Sequence, residues 1–219
     1  MFYISYIFEF LAFSTGLYFY RKIQPVVYRY SIIILLLTVI NEALAHFKVY
    51  DRAGINKSYL YNSFFLIELV VFFLIYYFFY RQNFHYKYMA IGIVIFILSI
   101  SVAIFFLMLN GARKFNPFFL NATSFCLIAL GFLYYIFIYK ANTVIELKKN
   151  PLFWFSTGLI IANFIHLLFI NATFIESFRT NPNSKEVFSI LNTIGNLLYY
   201  SCFIISFICL APFRRQAGI

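Results

Sequence analysis

The stretch YLYNSFFLIELVVFFLIYYFFY, from Tyr59 to Tyr80, carries one ionisable side chain, Glu68, in a run otherwise apolar or aromatic apart from Asn62 and Ser63. A helix of about 20 residues crosses the roughly 30 Å hydrocarbon core of a bilayer at about 1.5 Å per residue. Strands of membrane barrels are only about 10 residues long and alternate apolar with polar positions. This run is longer and does not alternate. It reads as a transmembrane helix, and Arg81 behind it reads as a membrane-flanking anchor.

The neighbouring sequence repeats the pattern. Runs from Phe2 to Tyr20, Val26 to Phe47, Tyr88 to Leu109, Pro117 to Tyr139, Pro151 to Ala172 and Val187 to Leu210 are also long enough to cross. Across the 219 residues, 63% are hydrophobic and 11% are charged, against about 25% charged in a soluble domain. Seven spans with short connections leave no length for a second domain. The expected fold is all-α, a single seven-transmembrane-helix bundle over residues 1–219. Pro25, Pro117 and Pro151 open helices, where a missing N–H does no harm, and Pro212 follows one.

The net charge of +10 does not point to nucleic acid, because the 17 Lys and Arg residues lie between apolar runs and never form a basic block. Cys126, Cys202 and Cys209 sit inside apolar runs with no metal-ligand spacing and an odd number, so neither a disulfide framework nor a metal is expected. No cofactor motif stands out. The N-terminus lacks the basic region of a cleaved signal, so the first apolar run is kept as a span. Richness in Phe, Ile, Tyr, Asn and Lys points to a bacterial source and hence the cytoplasmic (inner) membrane. The two Asn-Ala-Thr sequons at Asn121 and Asn171 carry no weight there.

Orientation follows from the basic residues. Arg21, Lys22, Arg29, Arg81, Lys87, Lys140, Lys148, Lys149, Arg214 and Arg215 flank one side. They outnumber Lys48, Arg52, Lys57, Arg113, Lys114, Arg179 and Lys185 on the other. The bias places the N-terminus outside and the C-terminus in the cytoplasm. Tyr18, Tyr20, Tyr28, Tyr30, Tyr76, Tyr77, Tyr80, Tyr134, Tyr135 and Tyr139 then fall at cytoplasmic helix ends, where an aromatic belt is expected.

Ionisable groups inside spans are costly and face the bundle interior or water. Glu9, Glu42, His46, Glu68 and His166 are such groups, joined by the amides of Asn41, Asn62, Asn121, Asn163, Asn192 and Asn196. With the N-terminus outside, all fall in the outer halves of their spans. The inner halves are filled by runs such as Leu69 to Ile75. A polar pocket open to the outside and closed below by an apolar plug is the architecture expected. Glu42 with His46, Asn163 with His166, and Asn192 with Asn196 each share a helix face. Ser5, Glu9, Ala12 and Gly16 form a narrow face on the first span. Plainer roles stand beside these: headgroup contact for Glu42 and His46, and interhelical hydrogen bonding for the amides.

The segment NPLFWFSTGLIIAN from Asn150 to Asn163, the run from Tyr59 to Arg81 with Asn62 and Glu68, and the last span with Asn192 and Asn196 resemble small seven-span membrane proteins of Bacteroidetes. The most specific piece is Phe153, Trp154 and Gly158, which looks like the family's aromatic-then-glycine pattern. The likeness covers nearly the whole chain. Similar seven-span modules precede histidine-kinase domains in longer proteins, so the resemblance implies an input or sensor role. Only four residues follow Arg215, and the expectation is that a signal passes to a separate protein partner.

A stand-alone sensor-like or accessory membrane protein with an unknown small ligand is therefore the leading expectation. A small transporter or proton-coupled carrier using Glu68 and His166, a lipid-directed membrane enzyme, and a structural subunit of a larger complex are the alternatives. Catalysis has little support: there is no His-x-x-x-His pattern, no Cys near a His, and no lysine in the seventh span to hold retinal.

Overall fold

The computed structural model describes residues 2–23, 26–47, 49–53, 57–83, 85–110, 116–140, 146–172 and 182–210. Among these residues every regular element is helical. The long helices are α1 (Phe2–Phe19), α2 (Arg29–His46), α4 (Lys57–Gln82), α5 (Tyr86–Asn110), α6 (Pro117–Lys140), α7 (Pro151–Ala172) and α8 (Pro182–Leu210), with a short α3 (Val49–Ala53) after α2. Helices α2 and α4 to α8 are long and apolar enough to cross a membrane, whereas the apolar helix at the N-terminus, Ile4–Phe19, is shorter. Pro25, Pro212, Arg113, Lys114, Arg179, Arg214 and Arg215 lie outside the described residues.

Local chemistry explains the sharpest helix starts. Asn116 and Asn150 precede prolines at the first positions of α6 and α7. The Phe119 N–H donates to Asn116 Oδ1 at 3.1 Å, and the Leu152 N–H donates to Asn150 Oδ1 at 3.0 Å. Each asparagine thus satisfies an N–H that the first turn leaves unpaired, while proline has none to satisfy.

The first helix packs against both α2 and the last helix, α8. From there the contacts run α2 to α4, α4 to α6, α6 to α7 and α7 to α8, which closes a ring; α5 rests on the flank of α4 and α6. The outer surface is apolar: Met108, Leu109, Leu98, Phe125 and Phe132 are all exposed, and α5 is the least buried of the long apolar helices. A surface of this kind suits lipid, and the fold fits a multi-pass helical membrane protein.

Between lipid-exposed helices there is little hydrophobic drive, so close packing and hydrogen bonds hold them together. Gly158 shows the packing. A Cβ there would meet Cys202 Cβ at 2.9 Å and the Tyr199 carbonyl oxygen at 3.3 Å, so hydrogen is the only side chain that admits this α7–α8 crossing. The small face of α1 acts similarly: Ser5, Glu9, Ala12 and Gly16 are buried, and a Cβ on Gly16 would lie 2.9 Å from Ile32 and 3.0 Å from Phe207.

The tyrosines divide into two populations. Tyr18 and Tyr139 are exposed, in keeping with a belt, but Tyr28, Tyr76, Tyr80 and Tyr134 are core residues. Buried phenols need partners. The Tyr76 hydroxyl donates to Ser156 Oγ at 2.8 Å, and the Tyr134 hydroxyl donates to Asn150 Oδ1 at 2.8 Å. The half of the bundle expected to be an apolar plug therefore contains a tyrosine layer, bonded at Tyr76 and Tyr134, while the buried Tyr80 hydroxyl has no partner among the described residues. Arg29 sits at its edge, with its guanidinium 5.0 Å from the Tyr20 ring centre and its Nε donating to the Ile23 carbonyl at 3.3 Å.

Candidate functional site

Helix α4 carries Glu68, Phe72, Tyr76 and Tyr80 at four-residue steps, which keeps them near one face. That face looks across the ring. Glu68 meets α8, Phe72 meets both α7 and α8, and Tyr76 meets α7.

Glu68 is half-buried, and its Oε1 accepts a hydrogen bond from the Tyr199 hydroxyl at 3.2 Å. The rings of Tyr199 and its neighbour Tyr200 lie 5.2 Å apart. Tyr200 lies near Glu9 on α1 and within electrostatic reach of Glu42 and Glu68. Glu42 on α2 lines the same recess as Tyr6 and Glu9 of α1. Glu68 is thus bonded to Tyr199, while Glu9 and Glu42 share a recess between α1 and α2 on the side of the neighbouring Tyr200.

The balance of charge is uneven. Glu9 is only 4% exposed, and its Oε1 has no hydrogen-bond partner among the described residues. Among those residues no basic side chain forms an ion pair with Glu9, Glu42 or Glu68. Carboxylates gathered in an apolar setting cost free energy unless protons or a cation balance them. The cluster is therefore suited to holding a positive charge or exchanging protons.

The other sequence-selected groups have the following surroundings. His166 on α7 packs its ring edge-on against Phe65, with centres 6.3 Å apart. Asn163 is buried and donates to the Leu159 carbonyl of its own helix at 2.9 Å. Asn192 and Asn196 are half-buried on α8, before Tyr199. Asn121 and Asn171 donate to each other's side-chain oxygens at 3.1 and 3.4 Å, a bridge between α6 and α7. Asn41 accepts a bond of 2.7 Å from Tyr50 on α3. Burial, and then the nearby Glu42, push the Tyr50 hydroxyl above the usual tyrosine range. His46 belongs to α2, but its side chain is outside the described residues.

Tyr6 and Tyr200 did not stand out in the sequence, where tyrosine reads first as a membrane-interface residue. Their spacing does hold a signal: Tyr6 lies three residues from Glu9, and Tyr200 continues the four-residue steps of Asn192 and Asn196.

Beneath Glu68 and Tyr199 lies a buried aromatic layer. Phe72, Phe155 and Phe203 are each 0% exposed, with ring centres 5.2 Å apart for Phe72 and Phe155, and 4.8 Å for Phe155 and Phe203. They separate Glu68 and Tyr199 from the Tyr76–Ser156 pair. Among the described residues no group of three or more His, Cys, Asp or Glu side chains is arranged to hold a metal ion.

Searches against family models, curated proteins and solved structures returned no match for this chain.

Proposed function

We propose that the chain is a seven-span, sensor-like or accessory protein of a bacterial cytoplasmic membrane. In this reading the Glu9, Glu42 and Glu68 cluster is its ligand site, and a separate protein partner receives the signal. The observation that carries it is the bond from Tyr199 of α8 to Glu68, with the Glu9 and Glu42 pair near the adjacent Tyr200. Such groups are expensive inside a membrane helix, and interhelical bonding alone needs no unpartnered Glu9 oxygen. A carrier is disfavoured by the buried Phe72, Phe155 and Phe203 layer, which lies between the Glu68–Tyr199 pair and the Tyr76–Ser156 pair.

Because Glu68 and Tyr199 join α4 to α8, occupancy or protonation of the cluster changes how these helices hold each other. Hydrogen exchange on the full chain in nanodiscs, followed as pH is varied across neutrality, tests this. Protection of α4 and α8 that changes with pH in the natural chain, and does not in Glu68→Gln, is the expected result. Identical exchange in both chains, together with solute uptake in proteoliposomes, would replace the sensor with a carrier.

A further inference from the structure

Glu9 and Glu42 line a recess of about 310 Å³ on the surface of the bundle between α1 and α2. Tyr6, Phe10, Val39 and Phe47 form its walls, with Glu9 and Glu42 among its lining. A second recess of about 390 Å³ runs along Ile7 and Leu11 and shares Tyr6 and Phe10 with the first. Ile7, Phe10, Leu11 and Phe47 are exposed, so the mouth opens sideways on the flank of the bundle. In a multi-pass protein this flank faces lipid tails.

We propose that this recess takes a single-chain amphipathic organic cation, an alkylammonium, directly from the bilayer. Its ammonium would lie between Glu9 and Glu42 and its chain along Tyr6, Ile7 and Leu11. The inference deepens the ligand-site reading above and rests on it.

Three observations select this chemistry. Glu9 Oε1 is buried in the recess wall without a partner among the described residues, and no basic side chain there neutralises either carboxyl. The rest of the lining is apolar or aromatic, which suits a hydrocarbon chain and not a hydrated ion. The rings of Tyr6, Phe10 and Phe47 add faces that attract an organic cation in a desolvated site. A metal ion is a poorer fit, because the described residues place no three suitable ligands together.

The test uses the full chain in nanodiscs with dodecyltrimethylammonium as probe. Dodecanol supplies the chain without charge, and tetramethylammonium supplies the charge without the chain. Saturable binding of the amphiphile at least tenfold tighter than either control is expected. Glu9→Gln and Glu42→Gln should each weaken it about tenfold or more. Ala43→Trp, at an exposed position of the mouth, should block it without changing charge; it carries the test alone if a glutamine variant does not fold. Equal binding of dodecanol, or binding that survives Ala43→Trp, overturns the proposal. Absent amphiphile binding with the pH response of α4 and α8 retained would remove this ligand class and leave the sensor reading standing. Amphiphile binding without any dependence on Glu68 would do the reverse.

Discussion

The hydroxyl of Tyr199 donates to Glu68 Oε1 at 3.2 Å, tying the middle of α4 to α8 across 131 residues of sequence. This bond lies above the aromatic layer and beside the crossing that Gly158 makes possible.

Removing either partner of that bond should lower stability modestly. Interhelical hydrogen bonds in membranes contribute about 0.6 to 2 kcal/mol. Tyr199→Phe and Glu68→Gln are each expected to cost within that range, and the double variant less than their sum. Unfolding in mixed micelles, analysed as a double-mutant cycle, measures the coupling. Strict additivity would show that the two side chains do not interact.

At Gly158, substitution by Ala should open the α7–α8 crossing. The new Cβ would meet Cys202 Cβ and the Tyr199 carbonyl, atoms fixed to the facing backbone. A loss of about 1 to 3 kcal/mol is expected for such overpacking. Gly92→Ala is the control: its nearest neighbour would be a Leu130 methyl at 3.6 Å, an ordinary contact, and its melting temperature should not move.

The aromatic layer is predicted to be a water barrier as well as core. Phe72→Ala should destabilise by about 3 kcal/mol or more, since it leaves a cavity between Phe155 and Phe203. Amides around Tyr76 should also exchange faster in nanodiscs. Unaltered exchange there would mean that Tyr76 is shielded by other groups.

Orientation has its own test. In a chain with Cys126, Cys202 and Cys209 replaced, single cysteines at Asn83 and Tyr139 should react with an impermeant maleimide only from the cytoplasmic face. A cysteine at Arg52 should react only from outside. All three positions are exposed. Inverted labelling would turn the half of the bundle that holds the carboxyl cluster toward the cytoplasm.

Much of the helical architecture was legible because each apolar run states its own preference for lipid over water. The segment from Tyr59 to Tyr80 lies inside α4, and the prolines at 117 and 151 stand at the first positions of α6 and α7. The short α3 escaped notice because Val49 to Ala53 is too brief and mixed to show a period. Tyr76, Tyr80 and Tyr134 read as belt residues because position along a span gives depth but not the direction in which a side chain points.

Residue composition and spacing determined by themselves that this chain folds as apolar helices, that Glu9, Glu42 and Glu68 lie within them, and that Ser5, Glu9, Ala12 and Gly16 share a face. Transfer into lipid and helical periodicity are local properties, so they can be read residue by residue. Only the tertiary structure decided that α1 closes onto α8, that Glu68 bonds Tyr199, that Glu9 and Glu42 line one recess, and that His166 packs on Phe65. Those outcomes depend on which helices pack side by side, a choice made by close contacts such as Gly158 against Cys202 between residues far apart in the chain.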